Sequence, residues 1–163
     1  MELRPATPGD APAVQAVARE SWHAAHDDIL GADAVDELVD DWYDLDDLAA
    51  SIRREDGHTF LAVVDRVVGF SQGHPTDDGP ADAVVTRIYL RPAHWGDGYG
   101  SALLERLFDA LRADGHESVW LAVLADNDVA RSFYDDHGFA VHEERTVVLA
   151  GREADDVVLV RDL

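Results

Sequence analysis

The chain has 163 residues, a length that fits one domain (1-163) with a single sizeable core, and a formal charge of -21 from 34 acidic against 13 basic residues. Every basic residue is arginine and there is no cysteine, which excludes disulfides, thiolate metal sites, a cysteine nucleophile and any phosphate loop that needs a lysine. So acidic a surface repels nucleic acid and anionic membranes, and neither is expected as a partner.

Hydrophobic residues make up 47% of the chain and fall in periodic runs, which argues for a packed core rather than disorder. Aspartate-rich, lysine-free composition along the whole length suits a halophilic protein working in molar salt, where the Debye length falls to about 3 Å; a specific cationic partner is the competing explanation. MELRPATPGD lacks the charged-then-apolar pattern of a secretory signal, and no stretch approaches the roughly 18 apolar residues of a membrane span, so a cytoplasmic location is expected.

In chain order, Glu2 to Ala6 reads as a short strand and Thr7-Pro8-Gly9-Asp10 as a helix start with Thr7 as N-cap. Val14, Val17, Ala18, Ser21, Trp22 and Ala25 then predict a helix from about Pro8 to Ala25. A second helix carries Val35, Leu38, Val39 and Trp42 on one face. A short third, capped within Asp44 to Asp47, carries Leu45, Leu48, Ala49 and Ile52 and stops at Gly57. Thr59 to Val64 and Val67 to Gly73 form a hairpin about Asp65-Arg66, and Pro75 to Asp82 is a polar loop.

The stretch Ala83 to Leu111 reads strand, glycine loop, helix. Val84, Val85, Ile88, Tyr89 and Leu90 make the strand, Pro92 and Gly96 break it, and a helix opens near Gly98 with Leu103, Leu104, Leu107, Phe108 and Leu111 on one face. Gly96, Gly98 and Gly100 leave backbone N–H groups unobstructed where the loop enters the helix, an anion site suited to phosphate or pyrophosphate; a tight turn alone would use the same glycines. A Walker loop is excluded by the missing lysine; Gly96-x-Gly98-x-x-Ser101 nearly fits a dinucleotide fingerprint but lacks the third glycine and a strand-ending acid about 20 residues on. Val119 to Leu124 follows as a buried strand, Asn127 to Gly138 as a helix with Ala130, Phe133 and Tyr134 facing inward, and Phe139 to Leu149 with Asp155 to Val160 as a closing hairpin. The order describes an α/β (α+β) domain with a mixed, mostly antiparallel central sheet flanked by helices.

Ile-Tyr-Leu-Arg-Pro followed by WGDGYGSALL resembles motif A of the GNAT superfamily of N-acetyltransferases. The run Asn127-Asp-Val-Ala130-Arg-Ser-Phe133-Tyr134-Asp-Asp-His-Gly138-Phe139 resembles motif B, placed 27 residues after Gly100. The resemblance implies the GNAT fold and transfer of acetyl from acetyl-CoA directly to a primary amine, on a small molecule or a peptide or protein, with no metal, by a monomer or homodimer. It implies that Ile88, Tyr89 and Leu90 pair with the pantetheine amides and that Gly96, Asp97, Gly98, Tyr99, Gly100 and Ser101 hold the pyrophosphate. Asn127 would contact the pantetheine arm as well as capping its helix, and Tyr134 would be the general acid for the departing thiolate. Trp95 stands where the family usually has arginine or glutamine, Asp97 brings a negative charge to the loop, and Val84 stands where many members carry a glutamate base. Candidate bases are His23, His26, His74, or a water held near Thr86. A non-catalytic acyl-CoA-binding module is the main alternative, and dinucleotide binding through the glycine loop a third.

Overall fold

The computed structural model describes all residues, 1–163. Strand β1 (Glu2–Pro5) leads through a 3-10 turn (Pro8–Asp10) into helices α1 (Ala11–Leu30), α2 (Ala32–Trp42) and α3 (Leu45–Arg53). Strands β2 (His58–Val64), β3 (Arg66–Pro75) and β4 (Ala83–Leu90) follow, then a second 3-10 turn (Pro92–His94), α4 (Tyr99–Ala113), β5 (Ser118–Leu124), α5 (Asp128–Asp136), β6 (Ala140–Leu149) and β7 (Arg152–Asp162). One seven-stranded sheet has the order β1-β2-β3-β4-β5-β7-β6. All its pairings are antiparallel except β4 with β5.

Side-chain alternation along the strands sends successive residues to opposite faces and so makes two cores. Phe60, Ala62, Val68 and Val85 pack with Leu103, Leu104, Leu107, Phe108 and Leu111 of α4 and with Tyr134 of α5. Leu61, Val67 and Phe70 pack on the other face with α1, α2 and α3 through Val14, Val17, Trp22, Val35, Val39 and Leu48. The molecule is therefore three layers, with α1–α3 and α4–α5 enclosing the sheet. No helix is long and apolar enough to cross a membrane.

Three sequence expectations shift. The first helix runs past Ala25 to Leu30, because His26 and Leu30 still face inward and nothing breaks the helix before Gly31, at φ 89°. Helix α3 ends at Arg53 rather than at Gly57, since Arg54 has already turned extended at φ -57°, ψ 121°. Trp42, expected on the buried face of α2, is 40% exposed and stands at the rim of the central cleft. Asp44 caps α3 as expected, accepting from the N–H groups of Asp46 and Asp47 at 3.1 and 3.2 Å.

The feature that makes a site is the one parallel pair. Strands β4 and β5 are joined only at Ala83↔Val119 and Val84↔Trp120, and beyond these they diverge. A register shift where β3 passes from Gln72 to Gly73 leaves Thr86 as the extra residue of β4, and such a bulge bends its strand. The joined ends are stapled from outside the sheet. The Asp82 carboxylate accepts from the N–H groups of Glu117 and Ser118 at 3.1 and 3.0 Å and from the Ser118 hydroxyl at 3.1 Å. Desolvation pushes this carboxyl up, but the two N–H donors and the hydroxyl together hold it below its ordinary range. Trp120 donates to the Asp78 carbonyl at 3.1 Å and lies over Gly79, where a Cβ would come within 2.5 Å of the indole.

Candidate active site

The divergence of β4 and β5 opens a cleft of about 1580 Å³ through the middle of the sheet. Ile88, Tyr89 and Leu90 line it, paired on one side to Ser71, Phe70 and Gly69 of β3 and on the other to no strand. Backbone groups on that open edge, apart from the Leu90 carbonyl, are free to pair with an extended ligand.

At the C-terminal end of β4 the chain enters the glycine loop. Gly96 and Gly98 have φ of 85° and 83°, a region that side chains resist, and Gly98 is the N-cap of α4. The first amide to close a helical turn is that of Ala102, donating to the Gly98 carbonyl at 3.1 Å. The N–H groups from Gly96 to Ser101 donate to no group of the protein, so six consecutive donors stand at the positive end of a 15-residue helix. A Cβ at Gly96 or Gly98 would meet nothing within 4 Å, whereas at Gly100 it would meet the Phe133 ring at 3.3 Å and Leu90 at 3.4 Å. Gly100 thus lets α4 pack closely on α5, and the other two shape the loop.

Gly96, Gly98, Gly100 and Ser101 line the cleft; Asp97 and Tyr99 do not. The Asp97 carboxylate sits 3.8 Å from His94, and His94 stacks on the Tyr99 ring at 5.6 Å, so both side chains turn away from the cleft and only their backbones face the loop. Trp95 lines the cleft and donates its indole N–H to the Leu90 carbonyl at 3.0 Å. Its ring pins the loop to the end of β4, which an arginine or glutamine at this position would not do in the same way.

Tyr134 rises from α5 into the cleft. It is 8% exposed, and its hydroxyl makes no hydrogen bond within the protein. Burial, with Tyr43 nearby, raises its pKa well above that of an ordinary phenol, which keeps the proton on oxygen. Asn127 also lines the cleft, and both ends of its amide are occupied. The oxygen accepts from the Ala130 N–H at 3.1 Å, capping α5, which fixes the nitrogen towards His26 Nε2 at 3.2 Å.

That contact decides the state of His26. A ring nitrogen that accepts from an amide is unprotonated, so the proton sits on Nδ1, which is buried without a partner. Burial pushes the His26 pKa down to about 4, opposed by the Trp22 carbonyl and by Asp27. The Asn127 amide thus engages the lone pair that His26 would need to accept a proton. His23 is held by Asp27 and Asp36, both at 2.7 Å, and does not line the cleft. His74 does line it. Its Nδ1 lies 2.7 Å from the Pro75 carbonyl, which can only accept, so Nε2 carries the free lone pair. His74 is also the cross-strand partner of Val84, and directly opposed residues share a face of the sheet.

The face under α1–α3 forms a second wall that the sequence reading did not assemble. Trp22, Tyr43 and Tyr89 pack with ring centroids 6.0 to 6.3 Å apart, and the Trp22 indole donates to the Tyr43 hydroxyl at 3.3 Å. Arg87 lies 4.8 Å over the Tyr43 ring. Thr86-Arg87, a polar pair in an otherwise apolar strand, faces the same region as Trp22 at the inward face of α1.

A cleft between splayed strands, ending on a glycine-rich helix start, offers a free strand edge to an extended ligand and a cradle of N–H groups to an anion. The profile of the Acetyltransferase (GNAT) family matches residues 18–139, and the chain belongs to that family. An uncharacterized N-acetyltransferase of Mycobacterium tuberculosis is 33% identical over 98 residues, which are 60% of this chain and 62% of that protein, less than two thirds of its length. The [Ribosomal protein bS18]-alanine N-acetyltransferase of Escherichia coli is 38% identical over 58 residues, 36% of this chain and 39% of that one. PaiA N-acetyltransferase from Thermoplasma acidophilum, solved in complex with coenzyme A, superimposes with a TM-score of 0.87 over 99% of this chain and 98% of its own at 23% identity, a likeness of fold.

Proposed function

We propose that the protein is an N-acetyltransferase that moves acetyl from acetyl-CoA directly to a primary amine. The observation that carries this reading is the open edge of β4 running into six free N–H groups at the start of α4. An unpaired strand edge suits the two amides of a pantetheine arm, and the N–H cradle suits a pyrophosphate. The coenzyme A bound to the similar Thermoplasma acidophilum protein supports the same ligand.

The thioester supplies an acyl carbon activated for attack. A free backbone N–H on the open edge of β4, at its Ile88 end, would stabilise the developing oxyanion. His74 Nε2 is the free base on the cleft wall and takes the proton that the amine loses as its nitrogen bonds to the acyl carbon. Tyr134 donates its proton to the thiolate as the carbon–sulfur bond breaks. Asn127, locked between its cap and His26, holds the start of α5 and hence Tyr134 in place. The acidic surface is read as an adaptation to molar salt, in which this chemistry would run.

Incubation with acetyl-CoA and a panel of primary amines in about 2–3 M KCl tests the reading. Free thiol that appears in step with acetylated amine is expected. Acetyl-CoA binding with no amine acetylated would instead make the protein a non-catalytic acyl-CoA-binding module.

A further inference from the structure

Three arginines line the cleft, and they are not alike. Arg145 is paired with Asp156 through two hydrogen bonds of 2.8 and 2.6 Å, and Arg54 is paired with Asp56. Arg87 makes no ion pair, in a chain with 34 acidic residues. Its guanidinium is held by neutral groups alone. Nη1 donates to Gln72 Oε1 at 2.7 Å and to Ser51 Oγ at 3.4 Å, and Nη2 donates to the Trp42 carbonyl at 2.8 Å. Gln72 is fixed in turn, its amide nitrogen donating to Ser51 and Thr59 at 2.9 and 3.0 Å. Of the five N–H donors of a guanidinium, Nε–H and one on Nη2 are left without a protein acceptor. An oriented, half-buried cation with spare donors and no counter-ion is built to receive an anion.

Its place in the cleft says whose anion. Arg87 shares a face of β4 with Tyr89 and lies three residues, about 10 Å, before Leu90, beyond the stretch offered to the pantetheine arm. It stands over Tyr43, the same ring that lies near Tyr134. The neighbouring cleft residues His74 and His58 add no carboxylate, since His58 already holds Asp114. Arg87 is the cross-strand partner of Gln72, two residues before His74 on β3, so an anion at Arg87 and an amine beside His74 fall on neighbouring residues of one strand pair.

We propose that the acceptor is an amine bearing a carboxylate next to its amino group, a free amino acid, bound through that carboxylate by Arg87. The inference rests on the acetyltransfer reading above and deepens it. A fork of two N–H donors fits a carboxylate side-on, and polyamines or lysine side chains offer no group to meet it.

The test compares free L-amino acids with the matching amino acid amides, which differ only in the charge that Arg87 would read. With acetyl-CoA in about 2 M KCl, wild-type protein should favour at least one free amino acid over its amide by about 10- to 100-fold in kcat/KM. Arg87→Gln should collapse that ratio towards one, and Arg87→Lys should restore part of it. Calorimetry with N-acetyl-L-amino acids and their amides reads the same preference without turnover, and acetyl-CoA affinity reports whether each variant is folded. Amides or polyamines acetylated as well as amino acids by wild-type protein would overturn the proposal and leave the acetyltransferase standing. If no amine is acetylated, binding of the N-acetyl-amino acid that depends on Arg87 still supports the anion site, and its absence overturns it.

Discussion

Helix α4, which covers one face of the sheet at the glycine-loop end of the cleft, carries two acidic and two basic residues over 99–113. The three helices on the other face carry ten acidic residues against two arginines, and Asp44 between α2 and α3 adds another acid. Arg19 reaches Asp36 and Asp40, Arg91 reaches Glu20 and His23 bridges Asp27 and Asp36, which leaves most of the remaining acids to solvent. The site divides along the same line. The proposed cofactor end is made of backbone N–H groups on a balanced helix, and the proposed acceptor end of side chains under an acidic lid. Binding a phosphate chain needs no particular side chain, so that end depends on turn geometry, whereas the other depends on helices whose own charges push them apart.

Salt should have the largest effect and should act unequally. At about 0.1 M KCl the Debye length is near 10 Å and repulsion spans the α1–α3 layer, so hydrogen exchange in α2 and α3 should rise while α4 stays protected. Raising KCl to about 3 M should lift the melting temperature by roughly 10 °C or more. Equal loss of protection in both layers, or a melt indifferent to salt, would remove the contrast.

Next is Tyr134, which reaches from the α5 side towards the acceptor wall. Tyr134→Phe breaks no intramolecular hydrogen bond, so it should fold and bind acetyl-CoA nearly as wild type does while losing about 10²-fold or more in kcat. Full turnover in a working transfer assay would make it a packing residue.

His26 should give the α1 side a pH dependence. Its folded pKa of about 4 lies below the ordinary 6.5, so between these values the unfolded chain takes up a proton that the native state refuses. Stability should therefore fall as pH drops through that window, by up to about 3 kcal/mol. Chemical denaturation of wild type and His26→Gln at pH 7 and near pH 4.5 checks this, and parallel slopes in the two proteins would remove His26 from the account.

The smallest effect is on the backbone end. Gly98→Val forces a side chain into φ 83°, which costs about 1–2 kcal/mol, but its Cβ meets no protein atom. Acetyl-CoA affinity of the folded variant, read by calorimetry, should fall roughly 10-fold, because the side chain stands where N–H groups would approach phosphate. Unchanged affinity in the folded variant would reduce the loop to a turn.

The same division explains what could be read from sequence. Gly96, Gly98 and Gly100 announce their geometry because few other residues tolerate it, and Asn127 with Tyr134 sits in a contiguous motif. The strand and helix order was legible from apolar period, with errors only at ends such as Ala25, where the next inward residue, His26, is polar. The contacts of the proposed acceptor wall were not legible, because Gln72 and Arg87 meet only through the β3–β4 register, and Ser51 and Trp42 reach them only through the packing of α3 and the end of α2. His26 and Asn127 are 101 positions apart and meet only when α1 and α5 converge on the cleft. A histidine four residues after a tryptophan marked a helix face, but nothing in the chain named its partner.

Two strands joined at one end and parted at the other form a pair of levers, and the Asp82 carboxylate is the pin at their vertex. Small angular play at a pin grows with distance along the arm. Over the six residues from Val84 to Leu90, about 20 Å of strand, a tilt of a few degrees moves the free end by roughly 1 Å, a large fraction of the tolerance of a hydrogen bond. Of the loop at Pro75 to Asp82 only Pro75 touches a proposed reacting group, through His74 Nδ1, yet the loop as a whole sets the gauge of the slot in which those groups must meet.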